Sequence, residues 1–266
     1  MRTDFDPQGK DGRRPARRPP PRRMSAAPPR GRASGELVED LVVANRILFH
    51  QGVLDGFGHV SARDDTDPDR FLLARSMAAG LVEASDIMAF DLDGAPIDAA
   101  GRAVFLERFI HSAIYRARPD VLAVIHSHSP NLVPFGVTPA RLQPLYHMTG
   151  FLGTGIPVFE IRDVAGEDSN LLVTDGRLGQ ALAATLGAGP AALMRGHGSV
   201  AVGLSLRQAV YRAVYMELNA RLQSEAMRLG PVNFLTPGEA RAGAAVNDRM
   251  LERPWELWKR EAMRER

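Results

Sequence analysis

The chain of 266 residues contains no cysteine. Disulfide staples and thiolate metal sites are thereby excluded, so a bound metal has to sit on histidine and carboxylate. A chain without disulfides also fits a reducing cytoplasm. Aromatic residues are few, at 6%, and no apolar stretch approaches the roughly 20 residues of a membrane-spanning helix. A Gly-x-Ser-x-Gly nucleophile turn is missing. Gly56-x-Gly58-x-x-Ser61 opens a strand-like run and no helix, so a dinucleotide fingerprint is missing too. A soluble protein is expected, with a small-molecule partner, no organic cofactor and no membrane or nucleic-acid role for its body; a nucleic-acid or anionic-membrane arm in the basic N-terminal segment is the lesser reading.

The net charge of +2 is unevenly spread. Residues 1–34 hold nine arginines and one lysine against three aspartates, a net of +7, while the rest carries 23 basic and 28 acidic side chains, a net of −5. The basic segment also has seven prolines and few bulky apolar residues. It cannot bury enough surface to offset its ordering entropy, and disorder is expected there. The body, 45% hydrophobic over the whole chain, is long enough for one sizeable core.

Periodicity predicts a helix from Ser34 to Gly52, with Ser34 as its polar cap. Strands are expected at His59–Arg63, 71–74 and 87–92, the last ending in the turn Asp93-Gly94. A helix is expected over 104–118, then a doubly buried strand over 121–127. A short helix after Pro130, a strand over 156–161, a helix over 177–186 and a strand at Ala191–Met194 follow. After a strand over 200–202 comes a long helix over 205–229. Alternation of this kind argues for an α/β domain over residues 35–235, one sheet with helices on both sides. Residues 236–266 read as a loosely attached helical tail.

The strongest chemical signal is His126-Ser127-His128. Residues i and i+2 of a strand face the same way, about 6.6 Å apart, so two imidazoles can share one ion or merely hydrogen-bond as a structural pair. His197, between Gly196 and Gly198 at the end of another apolar strand, can supply a third ligand, because glycine permits a sharp turn that aims a side chain into a cleft. It can equally be an incidental loop histidine. Glu107 lies in the first turn of its helix, where an acid is ordinary, yet it stands one helix upstream of the ligand pair. His111, one turn later, reads as a packed helix histidine or a group behind the ligands.

Taken together, Glu107-x-x-x-His111, Arg118-Pro119-Asp120-Val121, His126-x-His128 and Gly196-His197-Gly198 resemble the class II aldolase/adducin family, over roughly residues 37–230. The resemblance implies a three-layer αβα sandwich and a homotetramer with active sites between subunits. It also implies one divalent ion per subunit, Zn or Mn, on His126, His128 and His197, and a proton-shuttling Glu107. Sugar-phosphate members grip phosphate with a Gly-Asn-x-Ser loop and a Ser-Ser pair before the glutamate. Here these become Gly58-His59-Val60-Ser61 and Phe105-Leu106, and a phosphate without hydroxyl donors keeps its water. A non-phosphorylated substrate is expected.

The Gly-His-Val-Ser version and His147 resemble members that decarboxylate hydroxylated aromatic or pyridine carboxylates. On that reading His59, Ser61, Arg75, Ser76 and His147 are candidate substrate contacts, Arg75 as a carboxylate fork. A tri-histidine site leaves positions open for substrate oxygens, and a cation stabilises charge on an oxygen beside a breaking C–C bond. Decarboxylation, retro-aldol cleavage and epimerisation all need this. The expected activity is a metal-dependent C–C lyase, leaning to decarboxylation, with aldol cleavage second. A cupin would place a glutamate shortly after His-x-His, where Ser129-Pro130-Asn131-Leu132 stands. A non-catalytic adducin-like scaffold would have lost its ligands.

Overall fold

The Ser34 hydroxyl accepts a hydrogen bond from the Leu37 N–H, capping the first helix, α1 (Gly35–His50), as the sequence predicts. The computed structural model describes residues 1–2 and 32–264; the expected Arg/Pro tail falls almost wholly outside them. Short strands come next: β1 (His59–Arg63), β2 (Arg70–Ala74) and β3 (Ile87–Asp91). They lead into α2 (Arg108–Ala117), β4 (Ala123–Ser127) and α3 (Val133–Val137). The second half runs β5 (Val158–Phe159), α4 (Arg162–Ala165), α5 (Gly176–Leu186), β6 (Ala191–Met194) and β7 (Gly198–Gly203). Three helices close the chain: α6 (Leu206–Leu229), α7 (Pro237–Asn247) and α8 (Glu252–Ala262). No described helix is long and apolar enough to cross a membrane.

The seven strands form one sheet in the order β3-β2-β1-β4-β7-β6-β5. Every neighbouring pair is antiparallel except β5 and β6. Both faces are covered, so strand residues alternate between two cores and not between core and water. Val60, Ala62, Ile125, Leu193 and Ala201 join the core under α1, α6 and α8. Phe71, Leu73, Val124, Met194 and Val202 join the core under α2 and α5. The result is the expected αβα sandwich. His59 and His126 are register partners on β1 and β4, and cross-strand partners share a face; theirs is the α2/α5 face.

Two expectations are corrected at the level of elements. The helix expected from residue 104 begins only at Arg108. The Arg108 guanidinium donates to the Gly94 and Phe105 carbonyls, and the Phe105 ring turns onto His59 at 4.5 Å between centroids. These tertiary contacts override the apolar periodicity of 104–107. The strand expected over 156–161 shrinks to two edge residues, because α4 starts at Arg162 and Pro157 lacks an amide to donate.

The C-terminal segment is helical but not loosely attached. Trp255 is only 1% exposed and lies in the same core as α1 and α6. Arg207 stacks over its ring at 4.9 Å and pairs with Glu252 at 3.0 Å. On α7, Ala240 packs so closely on Gly150 that a Cβ there would overlap the Ala240 carbonyl. Truncating a buried tryptophan to alanine costs about 3–5 kcal/mol. Trp255→Ala should therefore lower the thermal midpoint by about 10 °C in a calorimetric or fluorescence melt. A shift within error would mean that α8 detaches freely.

Candidate metal and proton-transfer site

Strand β4 ends at Ser127, which leaves His126 inside the sheet and His128 just past its edge. His197 sits in the tight turn from β6 to β7, where its N–H donates to the Met194 carbonyl at 3.1 Å. Both flanking glycines are needed. Gly196 has φ +65°, a region closed to most side chains. At Gly198 an added Cβ would overlap the Ser127 carbonyl, so β7 could not approach β4 beside the ligands.

The three histidines expected to meet do meet. His128 Nε2 lies 3.1 Å from His126 Nε2 and 2.9 Å from His197 Nε2. The remaining nitrogens of two of them face carbonyls: His126 Nδ1 lies 3.1 Å from the Ser199 oxygen, and His197 Nδ1 lies 2.9 Å from the Leu171 oxygen. A carbonyl only accepts, so both Nδ1 atoms carry the proton and both Nε2 atoms present lone pairs. His128 can donate to only one of the two, which leaves unpaired lone pairs crowded at about 3 Å. That crowding is unfavourable among the groups alone and is what neighbouring ligands of one small cation show. With Glu107, the four ligand atoms lie within 4.8 Å of one another. The residues fit a divalent ion.

Glu107 is the N-cap residue of α2, but its side chain makes no capping hydrogen bond. Its Oε1 accepts from the Val173 N–H at 2.9 Å, and Oε2 stands 3.5 Å from both His126 Nε2 and His197 Nε2. Burial alone would raise its pKa, and positive charge at His126 and His197 would outweigh that and lower it below the usual range; with the two rings neutral, a cation held between them would supply that charge. Burial, helped by the neighbouring His126 and His197, lowers His128 to about 4. A neutral ring is the form that binds metal.

Among the other predicted contacts, His59 is buried against the cluster, its ring 5.1 Å from that of His126. Ser61 is fully buried on the same face, and its hydroxyl meets His111 and Tyr115, so it serves the protein interior and not an incoming molecule. Arg75 is committed to Asp86 at 2.7 Å and is no free fork. Ser76 is held through its backbone, donating to the Ala103 carbonyl. His147 is exposed, its own carbonyl accepting from Asn247. Among the described residues, no contact joins Arg75, Ser76 or His147 to the three histidines.

Sequence reasoning missed the loop before α5. Leu171, at φ +69°, turns its carbonyl to His197, and Val173 turns its amide to Glu107. Such a backbone costs about 1–3 kcal/mol for a non-glycine residue and persists because the loop braces both groups. Only main-chain atoms do this work, so side-chain identity carried no signal.

The comparisons with known proteins fit this geometry. Residues 39–224 match the model of the Class II Aldolase and Adducin N-terminal domain. The chain belongs to the class II aldolase/adducin family. Within it, the chain is 36% identical to the decarboxylase tropJ of Talaromyces stipitatus, over 84% of this chain and 93% of that protein. It is 30% identical to a 3,4-dihydroxyphthalate decarboxylase of Arthrobacter keyseri, over 72% of this chain and 79% of that protein. A similar solved fold is an L-fuculose 1-phosphate aldolase from Glaciozyma antarctica, with a TM-score of 0.71 at 23% identity, covering 86% of this chain and 91% of that one.

Proposed function

We propose that this member of the family is a metal-dependent carboxy-lyase that decarboxylates a small, non-phosphorylated, hydroxylated aromatic or pyridine carboxylate. The observation that carries the reading is the meeting of three imidazole Nε2 atoms beside the Glu107 carboxyl group. A divalent ion held by His126, His128 and His197, Mn or Zn, supplies a Lewis acid that stabilises negative charge on a substrate oxygen next to the breaking bond. Glu107 handles the proton. Its Oε1 is tied to Val173, so Oε2 is the oxygen placed to take a proton from a substrate hydroxyl and return it to the carbon that loses CO₂. An apolar ring stands beside the ligands: Phe57, 71% exposed, has its ring 6.3 Å from that of His128. It favours an aromatic ring over a sugar phosphate. The decarboxylases named above support the same choice. The family resemblance further supports a homotetramer, in which Ser76 and His147 would reach substrate across a subunit boundary, and a chain without cysteine fits the cytoplasm.

Retro-aldol cleavage is the second reading, because the same carboxylate and Lewis acid serve it equally. A panel of hydroxylated aromatic acids separates the two, with CO₂ expected from at least one and no aldehyde from any. Removing the ion with a strong chelator should abolish turnover, and adding Mn or Zn should restore it at one ion per chain. Full turnover by protein verified to be ion-free would overturn the proposal.

A further inference from the structure

Behind the ligands, four side chains from β1 and α2 form a continuous buried line. Tyr115 Oη lies 2.8 Å from Ser61 Oγ, Ser61 Oγ lies 2.6 Å from His111 Nδ1, and His111 Nε2 lies 2.6 Å from His59 Nδ1. Tyr115, Ser61 and His111 are all at most 1% exposed, so an unused donor or acceptor would be costly at any of them. That requirement sets the direction. The side-chain partner of the Tyr115 hydroxyl is Ser61, and a buried phenol O–H needs an acceptor, so the phenolic proton points to Ser61. Ser61 has one proton of its own and passes it towards His111 Nδ1. His111, a neutral ring with burial holding it down at about 3, then carries its proton on Nε2 and donates to His59 Nδ1. His59 is left with its proton on Nε2, the nitrogen that has no partner within the described chain, on the face it shares with His126.

We propose that Tyr115, Ser61 and His111 act as positioning residues that lock His59 in the Nε2–H tautomer, making it a fixed, uncharged donor to an oxygen of the substrate. This deepens the decarboxylase reading and rests on it for the identity of that oxygen, which is one of the departing carboxylate. No proton leaves the line during the reaction; the line only sets which nitrogen of His59 can donate. A neutral donor suits this place. A charged imidazolium would repel the ion beside it, and the opposite tautomer would present a lone pair to an anionic carboxylate.

The tautomer is directly readable by nitrogen-15 NMR of histidine-labelled, Zn-loaded protein, with His59 assigned by its disappearance in His59→Gln. The wild type should show a neutral ring protonated at Nε2. In Tyr115→Phe, nearly the same shape without the terminal donor, the Nε2–H signature should give way to a mixture, and KM for the decarboxylated acid should rise about tenfold or more while kcat changes less. Ser61→Ala interrupts the line in its middle and serves as the second variant. A wild-type His59 protonated at Nδ1, or charged at neutral pH, overturns the proposal. So does a His59 tautomer that stays unchanged in both variants. The NMR result stands whether or not any acid is turned over, so a failure of the decarboxylase reading and a failure of this one are told apart.

Discussion

His126→Ala is expected to give a folded protein that neither holds a divalent ion nor turns over. His126 is the most deeply buried ligand: its Nε2 faces His128, stands 3.5 Å from Glu107 Oε2, and is aimed by the Nδ1–H bond to the Ser199 carbonyl. Removing it leaves two imidazoles, one of them past the end of its strand, with a lone carboxylate. Loss of a single charge-stabilising donor at an active site costs about 10²–10³ in kcat. Loss of the ion itself should exceed that and take activity to background. The fold should survive, because the strand around the residue is held by backbone pairing to β1 and β7 on either side. Elemental analysis after dialysis and a circular-dichroism spectrum check the two halves separately. Because the three ligands act as one unit, the double variant His126→Ala/His197→Ala should be no slower than either single variant. A stepwise, multiplicative loss would instead mean independent roles, and retained metal with retained turnover would remove these residues from the site.

The sequence made the ligands legible for a geometric reason. His126 and His128 are two apart in a strand, and His197 is pinned by glycines at the end of another. Each spacing fixes a direction without knowledge of the rest of the fold. What lies behind them was not legible. Whether His111 is packing or support depends on α2 crossing β1 over fifty residues of separation, which no local pattern encodes. The backbone groups of Leu171 and Val173 left no trace in side-chain type. Arg75 had an equally suitable partner in Asp86, eleven residues on, and an arginine paired so locally cannot be told from a substrate fork by composition. The C-terminal segment reads as loosely attached because helix α8 exposes most of its surface, yet it buries two tryptophans. In a chain with so few aromatics, those two were the available sign that it packs.

Glu107→Gln separates metal binding from proton transfer. The amide keeps nearly the same shape, so its oxygen can still accept from Val173 and its nitrogen can occupy the place of Oε2. The protein should fold and take up its ion, with affinity reduced only by loss of one nearby negative charge. What the amide cannot do is accept and return a proton. A positioned general acid or base is worth about 10²–10⁴ in rate, so CO₂ release should fall by that factor in kcat with a much smaller change in KM. Glu107→Asp retains the chemistry but withdraws the carboxylate by about one methylene, and a misplacement near 1 Å costs about 10²-fold. Its rate should fall between the wild type and the glutamine variant. Steady-state kinetics on ion-saturated protein, with ion content measured on the same samples, provides the check. If the glutamine variant kept full turnover, the proton would travel by another group and Glu107 would be a ligand or a brace. If it lost its ion, the carboxylate would belong to the metal site, and the division of labour argued for Oε1 and Oε2 would fail.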